Sequence, residues 1–343
     1  MRLIQFYIPD AGRRVGVVET GSIFDLTHLN PDWNYVCKIF IKARQEECPF
    51  EEYIENSGFR SKANILDYDE LLSHRPGDRK GWVLLPVDHP DPAHCLIAGT
   101  GLTHLGSMAQ RDKMHKASDN AHKTDSQKMF EMGLDGGKPE TGVRGVQPEW
   151  FYKGTGAILK GHNDFLDIPS FTEDGGEEPE IVGCYIIGED GTPYRLGFAI
   201  ANEWSDHAME RVNYLWLAPS KLRTCSVGPE LITDEPFEDI RGYCRIYRDE
   251  QLIYDSGELL TGEHNMSHFL SNLEDHYFKY PQFCIPGDVH IHFFGTMKLS
   301  YGNRDAFQDG DRIQIQFDNM GSPLINYVRR VPHDIKPVMV KKA

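Results

Sequence analysis

The sequence predicts a β-rich α+β fold, with a small N-terminal α+β domain over residues 1–95 and a larger, strand-dominated domain over 96–343. Three observations carry that prediction. Short apolar runs bounded by turn residues recur from Glu180 onward, with turn signals at Asp190-Gly191, Asp249-Glu250, Pro286-Gly287 and Asp309-Gly310. Helical spacing is confined to a few short stretches. The length, 343 residues, suits roughly two domains whose cores need no disulfide.

Leu3–Tyr7, Val15–Val18 and Ile23–Leu26 read as strands separated by turns at Pro9–Gly12 and Thr20–Gly21. Asn34–Glu47 places Val36, Ile39, Phe40 and Ala43 at helical spacing, and Ile65–Leu72 reads as a second helix. Trp82–Pro86 closes the small domain, and a strand at Leu96–Gly101 opens the large one. Between Ser107 and Gly136 the chain turns polar and carries Met108, Met114, Met129 and Met132. An amphipathic helical lid (residues 107–136) and a solvated loop share that pattern. Farther on, Ser205–Leu217 and Ser267–His276 read as helices among the strands.

With 36 Lys+Arg against 52 Asp+Glu, the formal charge is −16, which argues against a nucleic-acid backbone or an anionic membrane as partner. No stretch approaches the roughly 18 apolar residues of a membrane span, and MRLIQFYIPD lacks a signal-peptide core. The seven cysteines are odd in number, widely spaced and without a C-x-x-C pair. They read as reduced thiols in a cytoplasmic protein rather than a disulfide scaffold or zinc ribbon.

The most informative segment runs from Glu177 to Arg211. Ile181–Ile187 and Tyr194–Ala201 are apolar strands, and Glu189-Asp190-Gly191-Thr192 supplies the turn between them. In a hairpin centred on Asp190-Gly191, Glu178 falls opposite Glu203. Glu178 and Glu180, two apart on an extended chain, point to one face. Three carboxylates thereby meet at the open end of the hairpin. Close anions repel unless a cation shares them, and oxygen-only donors suit Mg²⁺, Mn²⁺ or Ca²⁺ rather than zinc. An E-x-E pair by itself usually reads as a solvated strand end; Glu203 opposite it brings the metal reading level with that one. Pro179, which donates to no ladder, puts the pair at a strand start or edge. Ser205 fits the N-cap of the following helix, with Asp206 in its first turn. Lys221 and Arg223 are nearby cations, suited either to a substrate carboxylate or to surface ion pairs.

The order E-x-E (Glu178-Pro179-Glu180), hairpin, Asn202-Glu203-Trp204-Ser205, Lys221 and Gly228-Pro229 resembles the fumarylacetoacetate hydrolase superfamily. GVVETGSIFDLT, Phe151-Tyr152-Lys153, PGDVHIHFFGT and DGDRIQIQFDNMGSPLIN extend the likeness over nearly the whole chain. The resemblance implies a mixed β-sandwich roll, a divalent metal on Glu178, Glu180 and Glu203, a 2-oxo acid or β-diketone substrate, and a homodimer. Hydrolytic members carry an H-x-x-E dyad that activates water; the matching positions here are Ser107 and Gln110. The Arg and Gln that those members carry after the third ligand stand here as His207 and Glu210.

GGEEPEI, NEWSDHAMER, NYLWLAPSKLR and GDVHIHFFGT look most like the sugar-acid branch, which includes dehydratases of 2-keto-3-deoxy sugar acids. The resemblance then implies a lyase acting on a 2-keto-3-deoxy-pentonate, through a metal-stabilised enolate and loss of the C4 hydroxyl, to give 2-oxoglutarate semialdehyde. Lys221 is the first candidate for proton transfer, followed by His104 and His207. Arg223, Thr296, Lys153 and Ser107 are candidates for holding the substrate. An anionic substrate approaching an acidic protein needs such a local cation. Alternatives are a C–C hydrolase of acylpyruvates, an oxaloacetate decarboxylase and, in another class, a non-catalytic 2-oxo-acid-binding protein.

Rival signals are weaker. Asp288, His290 and His292 alternate on one strand face, but no spacing completes a zinc tetrahedron. Glu263, His264, His268 and His276 read as a polar helix face. Gly99-Thr100-Gly101 would need glycine at 104, which is His104, to be a dinucleotide fingerprint. No G-x-S-x-G elbow or P-loop is present.

Overall fold

The computed structural model describes residues 1–109, 123–332 and 336–343. The first strands are β1 (Arg2–Ile8), β2 (Gly12–Glu19), β3 (Ser22–Asp25), β4 (Asn64–Asp67) and β5 (Trp82–Val83). They are followed by β6 (Cys95–Gly101), β7 (Glu149–Thr155), β8 (Leu159–Lys160), β9 (Phe165–Ile168), β10 (Pro179–Ile187) and β11 (Pro193–Asn202). The remainder are β12 (Cys225–Val227), β13 (Leu231–Ile232), β14 (Ile240–Arg248), β15 (Gln251–Asp255), β16 (Leu259–Thr261), β17 (Val289–Phe293), β18 (Arg312–Phe317) and β19 (Leu324–Arg330).

These strands form two sheets. The larger runs β4-β3-β2-β1-β13-β11-β10-β17-β6-β7, with β5 on β1 and β12 joining β11 to β8; the smaller runs β15-β14-β18-β19-β9, with β16 on β14. Both are mixed, since β17–β6, β12–β8 and β19–β9 are parallel. The β-rich α+β expectation holds. Residues 1–95 continue the large sheet through the β1–β13 pairing.

Strand β10 is buried along its whole length because both faces are covered. Val182, Cys184 and Ile186 point with Ala199 and Ala201 of β11 toward the layer holding helix Val36–Gln45. Ile181 and Tyr185, with Phe198 and Ile200, meet Ile313, Ile315 and Phe317 of the small sheet. Glu178 and Glu180 share the parity of Val182, and Glu203 that of Ala201, so the pleat sends all three carboxylates to one face.

Several element boundaries differ from the sequence reading. Ile65–Leu72 splits into strand β4, zipped onto β3, and helix Tyr68–Ser73, capped by Asp67. Local helical spacing loses there to the free edge of β3. Ser267–His276 becomes helix Leu270–Phe278. Of the polar segment 107–136, Asp125–Gly136 is a helix closed by a Thr124/Gln127 capping box. Residues 110–122, including Gln110, lie outside the described residues.

Candidate functional site

The hairpin register delivers the acids. Pairs from Pro179↔Asn202 to Cys184↔Gly197 follow the expected alignment, and a bulge between Cys184 and Tyr185 shifts the turn end by one residue. Just past the ladder, Glu203 N–H donates to the Glu178 carbonyl at 3.0 Å. Glu178, Glu180 and Glu203 are all buried, and each offers an oxygen within 4.8 Å of the others.

Two lysines answer them. Lys221 Nζ donates to Glu178 at 2.6 Å and to Glu203 at 3.3 Å, with the Phe151 ring 4.8 Å away. Lys153, fully buried, donates to the Trp204 and Lys221 carbonyls at 2.7 and 2.9 Å and sits 3.3 Å from Glu203. Lys153 is therefore a counter-charge and backbone brace beneath the acids, not a wall of the cleft above them.

Ionisation is divided unevenly among the acids. Burial opposes charge on Glu178, but Lys221 and the His207 ring at 3.0 Å outweigh it and hold its carboxyl well below the usual range. Burial, then repulsion from Glu203 and Glu178, pushes Glu180 well above it. Glu203 is raised by burial, with Glu178 adding to the rise and Lys221 and Lys153 opposing it. Glu180 Oε2 accepts from Gly295 N–H at 2.7 Å, while its buried Oε1 has no partner among the described residues. Fully ionised, the three acids would exceed the two lysines by one negative charge, an excess that a cation could meet, and the donors are all oxygen. The site thus fits a hard divalent cation such as Mg²⁺ or Mn²⁺, held by Glu178, Glu180 and Glu203.

Over the acids lies a cleft lined by Leu102, Ser107, Glu178, His207, Glu210 and Thr296, among others. Of the candidates read from sequence, His207, Ser107 and Thr296 come together there. The Thr296 hydroxyl lies 3.0 Å from the Pro179 carbonyl, and Ser107 Oγ donates to the His104 carbonyl at 2.9 Å. His104 is elsewhere: it is buried between Thr103 and Thr261, at 2.9 and 3.3 Å, and burial lowers its pKa to about 4. Arg223 is spent on Asp206 at 2.7 Å and on the Pro219 and Leu222 carbonyls. His290 and His292 pack around Tyr277, away from the acids, and Asp288 holds His94 at 2.7 Å.

The helical pattern Ser205–Leu217 breaks into a helix at His207–Val212, a 3-10 turn at Tyr214–Trp216 and a short helix at Leu217–Ser220. Its N-cap is Asp206, accepting from Met209 N–H at 2.9 Å, rather than Ser205, whose hydroxyl turns back to the Glu203 carbonyl. Asp206 also accepts from Thr172 and Arg223, and that tertiary demand decides between two good capping residues. Sequence reasoning missed Asp206 in this role. It likewise left Glu210, on the cleft wall, without a role, although Glu210 follows His207 by three residues on one helix face.

This pair of mixed sheets is a fold shared with solved fumarylacetoacetate hydrolases and 2-keto-3-deoxyarabinonate dehydratases. A solved fumarylacetoacetate hydrolase from Exiguobacterium antarcticum superposes with a TM-score of 0.60 at 16% identity, over 96% of this chain and 100% of that one. Within the fold the likeness runs to 2-keto-3-deoxy-pentonate dehydratases. A 2-keto-3-deoxy-D-arabinonate dehydratase, solved in complex with magnesium and 2,5-dioxopentanoate, gives a TM-score of 0.69 at 18% identity, over 97% of this chain and 100% of that one. In sequence, a probable 2-keto-3-deoxyxylonate dehydratase of Haloferax volcanii is 26% identical over 181 residues, 51% of this chain and 58% of its own. The chain spans about half the length of the curated relatives it matches. No family model matches it. Among the described residues, no helix is long and apolar enough to cross a membrane.

Proposed function

We propose that the protein is a metal-dependent dehydratase of a 2-keto-3-deoxy sugar acid, a pentonate in particular. The observation that carries this reading is the buried Glu178/Glu180/Glu203 set, brought against Lys221 and His207 at the floor of a narrow cleft. The likeness to pentonate dehydratases supports the substrate class. A divalent ion held by the three glutamates would polarise the 2-oxo acid and acidify its C3–H.

The chain's own residues supply the rest. Lys221, touching both Glu178 and Glu203, is the carrier for the C3 proton. His207, on the cleft wall and oriented by Glu178, donates a proton to the departing C4 hydroxyl. Ser107 and Thr296 offer hydroxyls to the substrate. Water leaves with the C3 hydrogen and the C4 hydroxyl. A proton shift then carries the double bond to C4–C5, and the resulting enol becomes the aldehyde of 2,5-dioxopentanoate. The seven free cysteines, five of them buried, suit a reducing cytoplasm.

The test is a coupled assay with Mg²⁺ across a panel of 2-keto-3-deoxy sugar acids, following semialdehyde release. Turnover of a pentonate is expected. Cleavage of acylpyruvates or decarboxylation of oxaloacetate, with no sugar acid consumed, would overturn the reading. That control matters because a histidine–carboxylate pair such as His207–Glu178 can also activate water.

A further inference from the structure

The four residues before Glu178 are Asp174-Gly175-Gly176-Glu177, and each has a definite use. A Cβ on Gly176 would lie 2.0 Å from His207 Nδ1 and 2.4 Å from its Cε1. One on Gly175 would lie 2.1 Å from the Trp204 ring. Neither glycine needs a positive φ, so what forbids a side chain is the neighbouring ring alone. Gly176 is pinned by two backbone bonds, donating to the Ser205 carbonyl at 2.8 Å and accepting from Ser205 N–H at 3.0 Å.

The flanking acids fasten the opposite wall. Glu177, fully buried, accepts from Ser300 N–H and Oγ, each at 2.6 Å. Asp174 accepts from Arg304 at 3.0 Å, and Arg304 reaches back to the Gly175 carbonyl at 2.8 Å. Between Ser300 and Arg304 lies Tyr301, whose ring stands edge-on to His207 at 5.5 Å. His207 is thus held by backbone on one side, an aromatic ring on another and Glu178 at Nε2.

We infer that Asp174–Glu177 is a socket that sets the His207 imidazole, with Gly176 and Tyr301 as positioning residues of the site. The inference rests on His207 facing the substrate, as in the proposed function. Glu177 differs from its neighbours Glu178 and Glu180 in parity, and so serves the wall rather than the metal face.

The experiment compares Gly176→Ala, His207→Ala and the double variant, each with Mn²⁺ titration and with ¹⁵N-imidazole spectra. Gly176→Ala should move the His207 ring resonances, lower kcat roughly 100-fold with a smaller change in KM, and leave Mn²⁺ affinity within a few-fold. In the His207→Ala background it should cost nothing further. Tyr301→Phe should keep the ring shifts and most of kcat, whereas Tyr301→Ala should lose both. An unmoved His207 signal in Gly176→Ala, or an undiminished loss in the double variant, would overturn the socket. Because the spectra read placement without turnover, a protein that dehydrates no sugar acid would sink the proposed function and leave the socket standing.

Discussion

At the scale of single residues, the three glutamates are chemically alike and electrostatically different. Burial and the charges of Glu203 and Glu178 act on Glu180 more strongly than Lys221 and the Gly295 N–H, which oppose them. A carboxyl whose folded pKa is raised binds its proton more tightly folded than unfolded. In metal-free protein it therefore favours the folded state at low pH and loses that favour as pH rises above its unfolded value. Glu180→Gln should accordingly leave metal-free stability unchanged or higher, by a margin that widens as pH rises from about 4.5. The same change should weaken Mn²⁺ binding by about 100-fold or more and abolish turnover. Calorimetry and urea midpoints on one preparation check both, and a variant that still bound Mn²⁺ normally would remove Glu180 from the ligand set.

At the scale of elements, the strand-to-helix corner depends on Asp206. It caps a helix of only two turns, accepts from Thr172, and neutralises an Arg223 whose side chain is 3% exposed. Asp206→Ala should cost about 3–5 kcal/mol in urea denaturation, chiefly through the charge left buried on Arg223. A loss below about 1 kcal/mol would reduce Asp206 to an ordinary cap. The hairpin that feeds this corner was legible because its two apolar runs and Asp-Gly turn are local. The capping residue was not: Ser205 and Asp206 are both good caps in isolation, and the partners that choose between them are 34 and 17 residues away. The position of His104 was hidden for the same reason: the chain turns it into a threonine-lined interior, next to a partner 157 residues away.

At the scale of the whole molecule, His104, His162 and His268 have pKa values lowered to about 4, and His290 and His292 to about 3, in each case chiefly by burial. The unfolded chain takes up these protons below about pH 6.5, while the folded one resists until its own pKa. Stability should therefore fall as pH drops from about 6.5 toward 4, by up to about 1.4 kcal/mol per pH unit for each histidine. Urea midpoints at pH 7, 6 and 5 test this, and a flat series would contradict it. Saturating Mg²⁺ should oppose the loss, adding about 2.7 kcal/mol at one hundred times its dissociation constant. The β-rich α+β class was readable from strand density and turn spacing. The long-range joins, β1 to β13 and β19 to β9, were not, since nothing local marks them. The bulge between Cys184 and Tyr185 has an engineering meaning. It takes up a one-residue register shift between the loop at Glu189–Thr192 and the carboxylates, some 30 Å apart along the ribbon by the usual rise per strand residue. New chain termini or a reporter domain inserted in that loop would sit beyond the bulge, with the three carboxylates left in register.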